Sequence, residues 1–190
     1  MEKRVHFIEN FLNENEFDGL LERINLYNTD CSYPGWKYIG HSSLESFNKK
    51  FWYIDLKNDP YFTDNIFSKI KSTIKYHFNE NIKLDLTENS VYLNGATFGQ
   101  QGYYHTDGCD RTFLIYCNPN WNTEHSGATV FTVENDKKEE NHLTIYPKKF
   151  SAVYFDSSIK HFSQSLSADF SGLRITLAYK LFLDQWIKKN

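Results

Sequence analysis

The segment "YYHTDGCDRTFLIYC", residues 103–117, joins His105 and Asp107 to a run of strand-forming residues. Residues two apart on an extended chain point to the same side, so both side chains can enter one cavity. Yet with seven histidines and 24 acidic residues in the chain, about one His-x-Asp/Glu pair is expected by chance. The pair is therefore either part of a metal site or a polar strand–turn junction. Residues further along the chain are needed to distinguish these two interpretations.

The composition is that of a globular protein rich in aromatic residues. Of the 190 residues, 40% are hydrophobic and 17% aromatic, and the net charge is −3. This content argues against disorder and favours strands, and the length suits one domain spanning residues 1–190. The weakly acidic balance makes a nucleic-acid partner unexpected.

The cysteine pattern and the first residues predict a cytoplasmic protein. Cys31, Cys109 and Cys117 form no CxxC motif and are odd in number, which argues for a reducing compartment. The opening segment "MEKRVHFIENFLNENEF" is interrupted by charges, unlike a signal peptide. No apolar run approaches the roughly 18 residues of a membrane span, so no membrane partner is expected. The oligomeric state stays open.

Helical periodicity marks the first part of the chain, about residues 1–85. Apolar residues recur at helical spacing after Asn13 and Glu16, which form a capping-box pattern. A second helix is predicted in "TDNIFSKIKSTIKYHF", residues 63–78, where Ile66, Ile70 and Ile74 form one stripe. Between the two, "KFWYIDL" at 50–56 predicts a strand.

From residue 88 the hydrophobic period changes from 3.6 to 2. Seven short strands are predicted, separated by turns that contain Gly, Pro, Asn or Asp: "SVYLN", "RTFLIYCN", "ATVFTV", "HLTIYP", "SAVYFD", "HFSQSL" and "RITLAYKLF". Helices followed by strands predict an α+β fold. We expect a double-stranded β-helix, or jelly roll, over about residues 86–185, with the N-terminal helices packed on one sheet.

His161, further along the chain, could complete a metal site with the His-x-Asp pair. In "IKHFSQSL", residues 159–166, it shares a face with Ser163 and Ser165, and a polar face turned inward requires a wet or ligand-filled site. Two imidazoles and one carboxylate form the facial triad that holds Fe(II) and leaves coordination positions open. The alternative is that each histidine is a surface or hydrogen-bonded residue.

Arg174 opens the last predicted strand and shares one face with Thr176, Ala178 and Lys180. It is either an exposed strand arginine or a buried guanidinium that needs a ligand carboxylate. A guanidinium binds a carboxylate through two parallel hydrogen bonds, and an unpaired one would be costly in a core.

The order His-x-Asp, strand-rich insertion, His and Arg resembles the Fe(II)- and 2-oxoglutarate-dependent dioxygenases, particularly the prolyl 4-hydroxylase group. "RTFLIYCN", "SGATVF" and "IYPKKFSAVYFD" resemble strands of collagen-type prolyl hydroxylases. "LIYCNPNWNTEHSGATVF" is similar in layout to the hypoxia-inducible-factor prolyl hydroxylases. The resemblance covers roughly residues 88–182.

This resemblance implies roles for several residues. The triad of His105, Asp107 and His161 would be the catalytic iron ligands. Arg174 would pair with the distal carboxylate of 2-oxoglutarate, where collagen-type members use Lys. Three further residues would contact this cosubstrate: Tyr116 through its hydroxyl, Thr176 and Tyr92.

The implied reaction consumes O2 and 2-oxoglutarate, releases succinate and CO2 and hydroxylates a substrate, with ascorbate as a possible reductant of the iron. A peptidyl proline is the first choice of substrate, and Arg111 and Tyr104 flank the ligands where a peptide could bind. A free amino acid or other small molecule is the alternative within this class. A non-catalytic, cupin-like module that holds a metal or small acid is the rival from another class, but it would not need Arg174.

Overall fold

The computed structural model describes residues 4–40, 50–87, 89–134 and 139–184, and in these ranges eleven strands form two antiparallel sheets. The strands are β1 (Val5–Ile8), β2 (Lys37–Gly40), β3 (Lys50–Asp55), β4 (Ile82–Leu84), β5 (Val91–Ala96), β6 (Arg111–Tyr116), β7 (Thr129–Glu134), β8 (Glu140–Ile145), β9 (Ala152–Asp156), β10 (His161–Ser163) and β11 (Arg174–Leu183). The large sheet has the order β1-β9-β6-β11-β5-β3-β2, with β4 also paired to β11, and the small sheet has the order β10-β7-β8.

Two helices cover one face of the large sheet. They are α1 (Glu14–Thr29) and α2 (Phe67–Phe78), the second preceded by a π-helical turn at Tyr61–Ile66. Their apolar stripes join one core with the sheet residues that face them, among them Phe17, Leu20, Ile24, Ile70, Ile74, Leu93, Phe113, Leu177 and Tyr179. The predicted α+β jelly roll with helices on one sheet is thereby confirmed.

Strand β11 organises the large sheet because it has hydrogen-bonded partners along both edges. Arg174–Tyr179 pair with β5, and Thr176–Leu181 pair with β6. Strand alternation sends Leu177, Tyr179 and Leu181 into the helix-side core. It sends Arg174, Thr176, Ala178 and Lys180 to the opposite face, where they line a cavity.

All seven strands predicted after residue 88 are present, although β10 is only three residues long; beyond it, Leu166 forms an isolated bridge with Ser126. The first 85 residues contain more than the predicted helices and one strand. Three short strands were missed: β1 pairs with β9, β2 with β3 and β4 with β11. Each has only three or four residues, too few for a period of 2 to be recognised. None of the described helices is long and apolar enough to cross a membrane.

The capping box predicted for the first helix is formed. Asn13 Oδ1 accepts from the Glu16 backbone N–H at 3.0 Å, and Glu16 Oε2 accepts from the Asn13 N–H at 2.8 Å. Glu16 also pairs with Lys69 Nζ of α2 at 2.7 Å, so the cap of one helix is tied to the other helix.

Asn13→Ala removes the side-chain acceptor of this cap. We expect the free energy of unfolding to fall by about 1 kcal/mol in urea titrations. Asn25→Ala, at an exposed mid-helix position of α1, is the matched control and should not destabilise the protein. Equal stability of the two variants would contradict a stabilising role for the cap.

Candidate active site

His105 and His161 lie opposite each other in an isolated antiparallel bridge at one end of the cavity. The His105 N–H donates to the His161 carbonyl at 3.1 Å, and the His161 N–H donates to the His105 carbonyl at 2.9 Å. These reciprocal bonds set the two imidazoles beside each other, with ring centroids 4.4 Å apart. The backbone therefore fixes the spacing of the two rings.

Asp107 lies between the two imidazoles. Its Oδ1 is 3.6 Å from His105 Nε2, and its Oδ2 is 3.6 Å from His161 Nε2. One potential ligand atom from each of the three residues lies within 4.8 Å of the other two. The structure thus brings the three predicted iron ligands together at a spacing that suits a single metal ion.

The hydrogen bonds of both histidines orient their rings for metal binding. His105 Nδ1 is 2.9 Å from the Tyr103 carbonyl, and His161 Nδ1 is 2.9 Å from the Ile159 carbonyl. A carbonyl can only accept, so Nδ1 carries the proton in each ring and Nε2 presents its lone pair towards Asp107. Such outer contacts are what fix the tautomer of a metal-ligating histidine.

Asp107 is a buried carboxylate held by three neighbouring segments. Its N–H donates to the Ser157 carbonyl at 2.9 Å, and Thr112 Oγ1 donates to Oδ2 at 2.6 Å. Lys180 Nζ pairs with Oδ1 at 2.5 Å. Burial tends to raise the pKa of Asp107, but Lys180 and His161 outweigh it and hold the pKa well below its ordinary range. The carboxylate is therefore ionised and able to bind a cation.

Arg174 lies further along the same cavity, which has a volume of about 510 Å³. Only 4% of the residue is exposed. Its Nε donates to the Gly127 carbonyl at 2.5 Å, and an Nη donates to Thr129 Oγ1 at 3.0 Å. Within the described ranges no carboxylate lies within ion-pair distance of it. Burial lowers the pKa of Arg174, but a guanidinium keeps its proton, so a cation without an anion faces the cavity.

Thr129, which the sequence analysis missed, links Arg174 to Tyr116. The Tyr116 hydroxyl donates to Thr129 Oγ1 at 3.1 Å, and Arg174 donates to the same oxygen. With both lone pairs of Thr129 occupied, its own O–H remains to donate into the cavity that it lines. On β7 Thr129 looks like any strand-forming residue, and only the packing of β7 over β11 shows this role.

Gly127 permits the approach of Arg174. Its φ is +70°, and a Cβ built there would lie 2.6 Å from Leu166, 2.9 Å from Trp121 and 3.2 Å from Arg174. A glycine tolerates both this backbone conformation and this close packing, which a larger residue would not.

The other predicted cosubstrate residues have different positions. Thr176 is buried and lines the cavity between Arg174 and the triad end. Tyr92 also lines the cavity, and Lys180 Nζ lies 5.7 Å from the centre of its ring. Tyr116 is fully buried behind Thr129 and does not line the cavity itself.

The two residues suggested for substrate contact lie outside the cavity. Arg111 pairs with Glu80 at 2.9 Å and with Asp156, because strand alternation turns it to the helix side with Phe113, away from Thr112 and Leu114. Its guanidinium is therefore engaged in ion pairs on the helix side of β6 and does not line the cavity. Tyr104 is 45% exposed and packs on Phe162, a cavity residue, with ring centroids 4.3 Å apart.

Arg111→Met leaves Glu80 and Asp156 without their shared cation. We expect a loss of about 3 kcal/mol in the free energy of unfolding, as for other broken buried ion pairs, with ligand binding in the cavity unchanged. Lys148→Met, which removes an exposed pair with Glu9, should cost well under 1 kcal/mol. A stable Arg111→Met protein that has lost ligand binding would contradict the structural role.

His161 gives the metal-free protein a pH-dependent stability. Burial lowers the pKa of His161 to about 4, and Asp107 only partly offsets this. Between pH 6.5 and 4 the unfolded chain binds a proton that the folded protein excludes, so stability falls as the pH falls through this window. We expect a loss of about 2 kcal/mol from pH 7 to pH 5 in urea titrations.

In His161→Gln most of this pH dependence should disappear, because the excluded proton has no site in the variant. His142→Gln, at an exposed position, should keep it. Burial also lowers the pKa of His6. His6 therefore adds a smaller loss of stability at low pH in the wild type and in both variants. An unchanged slope in His161→Gln would contradict the neutral, buried state of this ligand.

Comparisons with known proteins find likeness in structure alone. No protein-family model matches the sequence, and no curated protein matches it. A prolyl hydroxylase from Trichoplax adhaerens, solved with a hypoxia inducible factor peptide fragment, has a TM-score of 0.66 at 18% identity, covering 94% of this chain and 82% of that chain. The non-heme alpha ketoglutarate dependent carbocyclase SnoK from nogalamycin biosynthesis has a TM-score of 0.71 at 10% identity, covering 96% and 80%.

HygX from Streptomyces hygroscopicus, solved with nickel and 2-oxoglutarate bound, has a TM-score of 0.64 at 11% identity, covering 95% of this chain and 83% of that chain. At such identities the likeness concerns the fold and leaves the substrate undetermined. The chain has the jelly-roll fold of the 2OG-Fe(II) oxygenases, a superfamily that includes prolyl hydroxylases.

Proposed function

We propose that this protein is an Fe(II)- and 2-oxoglutarate-dependent dioxygenase that hydroxylates its substrate with release of succinate and CO2. The observation that carries the proposal is the cavity shared by the His105–Asp107–His161 triad and the unpaired guanidinium of Arg174. A module that only bound a metal would need the triad and not a buried cation further along the cavity. An unpaired guanidinium there calls for a ligand carboxylate.

The residues of the triad fit iron in number and kind. Two neutral imidazoles and one carboxylate on one side of a metal leave its remaining positions open to other ligands. Bound Fe(II) would supply the activation of O2 in this site. The chain's own contribution is to hold the two Nε2 atoms and the carboxylate in place, through the backbone bridge and the bonds to Ser157 and Thr112.

The other end of the cavity fits the distal carboxylate of 2-oxoglutarate. Arg174 supplies the charge, and the remaining O–H of Thr129 supplies a second donor. Tyr116 acts through Thr129, since its own hydroxyl donates to that residue. Thr176 lies on the wall between the two ends. The structure of HygX with nickel and 2-oxoglutarate supports such a pairing of metal and cosubstrate in this fold.

For the substrate, a peptidyl proline is the first choice. It is supported by the prolyl hydroxylase of this fold that was solved with a peptide fragment. The exposed ring of Tyr104, packed on Phe162 of the cavity wall, offers a peptide an aromatic surface beside the triad. A free amino acid or other small molecule is the second candidate. The position of Lys180 beside Asp107 favours this candidate or an acidic peptide.

Arg174→Met separates cosubstrate binding from metal binding. Anaerobic titration of the Fe(II) protein with 2-oxoglutarate should produce the visible charge-transfer band of the chelate. In Arg174→Met the affinity for 2-oxoglutarate should fall roughly 100-fold, as expected when one partner of a buried charge pair is removed. Iron binding should remain, because none of its ligands has changed.

Two further variants complete this experiment. His161→Ala should lose the band, because a metal ligand is missing. Arg111→Met removes an arginine outside the cavity and should keep the wild-type 2-oxoglutarate affinity. Iron binding without any band in the wild-type protein would favour a non-catalytic module, and an unchanged affinity in Arg174→Met would refute the proposed clamp.

A further inference from the structure

Lys180 is a second cation in the cavity, at the end occupied by the triad. Its side chain is 18% exposed, and its Nζ lies 2.5 Å from Asp107 Oδ1 and 5.7 Å from the centre of the Tyr92 ring. Both Lys180 and Tyr92 line the cavity. The ammonium is thus directly beside a proposed iron ligand.

Lys180 is too far from Arg174 to share its ligand. The two residues lie six positions apart on β11, which places their Cα atoms about 20 Å apart at the usual rise of a strand. Asp107 is at the Lys180 end, and Thr129 is at the Arg174 end. A cosubstrate held by Arg174 and the metal therefore leaves Lys180 on another side of the metal site.

Metal binding changes the charge balance around Lys180. Within the described residues, Asp107 provides the sole carboxylate within ion-pair distance of its ammonium. A divalent metal on the triad would share that carboxylate and repel the ammonium. Even with a dianionic cosubstrate bound at Arg174, the Lys180 end of the cavity keeps an excess of positive charge.

From this we infer that Lys180 and Tyr92 form a subsite for a carboxylate of the substrate, so that the molecule oxidised is an acid. The inference rests on the proposed function and narrows its substrate class. The carboxylate belongs either to a free amino acid or related small acid, or to an acidic group next to the target residue of a peptide. An uncharged prolyl residue alone would leave the ammonium with no anion except the Asp107 carboxylate that it shares with the metal.

The test uses acetate and acetamide, which have the same size and differ in charge. The protein is loaded with Mn(II) and 2-oxoglutarate under argon, and the paramagnetic relaxation of each probe's methyl protons is measured. Wild-type protein should relax acetate about fivefold or more faster than acetamide, as expected for one charge-assisted hydrogen bond. Equal relaxation of the two probes would overturn the inference.

Three variants locate the effect. Lys180→Met should reduce acetate relaxation to the acetamide level, and Lys180→Arg, which keeps the charge, should retain the preference. Lys83→Met, an exposed lysine of the same sheet, is the matched control and should behave as the wild type. Metal affinity and thermal unfolding of each variant are measured alongside, so that a folding defect is recognised. If acetate keeps its advantage in Lys180→Met, it binds the metal itself and the subsite does not exist.

Two further pairs of probes identify the source of the carboxylate. L-Proline is compared with L-prolinamide, and N-acetyl-prolyl-aspartate amide is compared with its asparagine analogue. A Lys180-dependent preference in the first pair indicates a free acid, and in the second pair an acidic peptide. The acetate experiment is repeated with Mn(II) alone, so that it tests the subsite without 2-oxoglutarate. Failure of the proposed function is then seen separately, as the absence of 2-oxoglutarate binding.

Discussion

The buried carboxylate of Asp107 is the interaction on which the rest of the site depends. A charge that is removed from water must be fully paired and hydrogen-bonded, or it destabilises the fold. Here the loop that carries Asp107 is tied to β6 by Thr112, to the turn after β9 by Ser157 and to β11 by Lys180. The carboxylate binds Thr112 and Lys180, and the Asp107 backbone N–H binds Ser157, so one residue holds together segments that are more than 70 residues apart in sequence.

Strand β11 distributes the positive charge of the cavity. Its residues alternate between a helix-side core and the cavity face, and pairing along both edges prevents it from slipping in register. A slip of one residue would bury Arg174 and Lys180 under the helices and expose Leu177 and Tyr179. Hydrophobic packing on one face thus fixes the positions of two cations on the other.

The sequence predicted the fold best where the hydrophobic period of a helix or strand could be recognised. Long alternating strands and the capping box of α1 were predictable, and the triad could be proposed from residue types and order. The role of Thr129 could not be predicted, because it depends on which strand of the small sheet lies over Arg174. Lys180 was placed on the correct face, but its partner Asp107 lies 73 positions away and no local pattern connects them. Arg111 was proposed as a residue that flanks the ligands, and strand alternation turns it to the helix side, together with Phe113.

The bridge between His105 and His161 bears on how the proposed metal site is assembled. Many small metal sites are assembled by the metal itself, and their chains unfold without it. Here two of the ligands are already held by reciprocal amide bonds, and the third is clamped by hydroxyl and ammonium groups. These bonds come from the chain itself, so we expect folding, and not the metal, to assemble the site. Under the proposed function, a molecule that loses its iron would keep the three ligands in place and could be reactivated by iron without new synthesis.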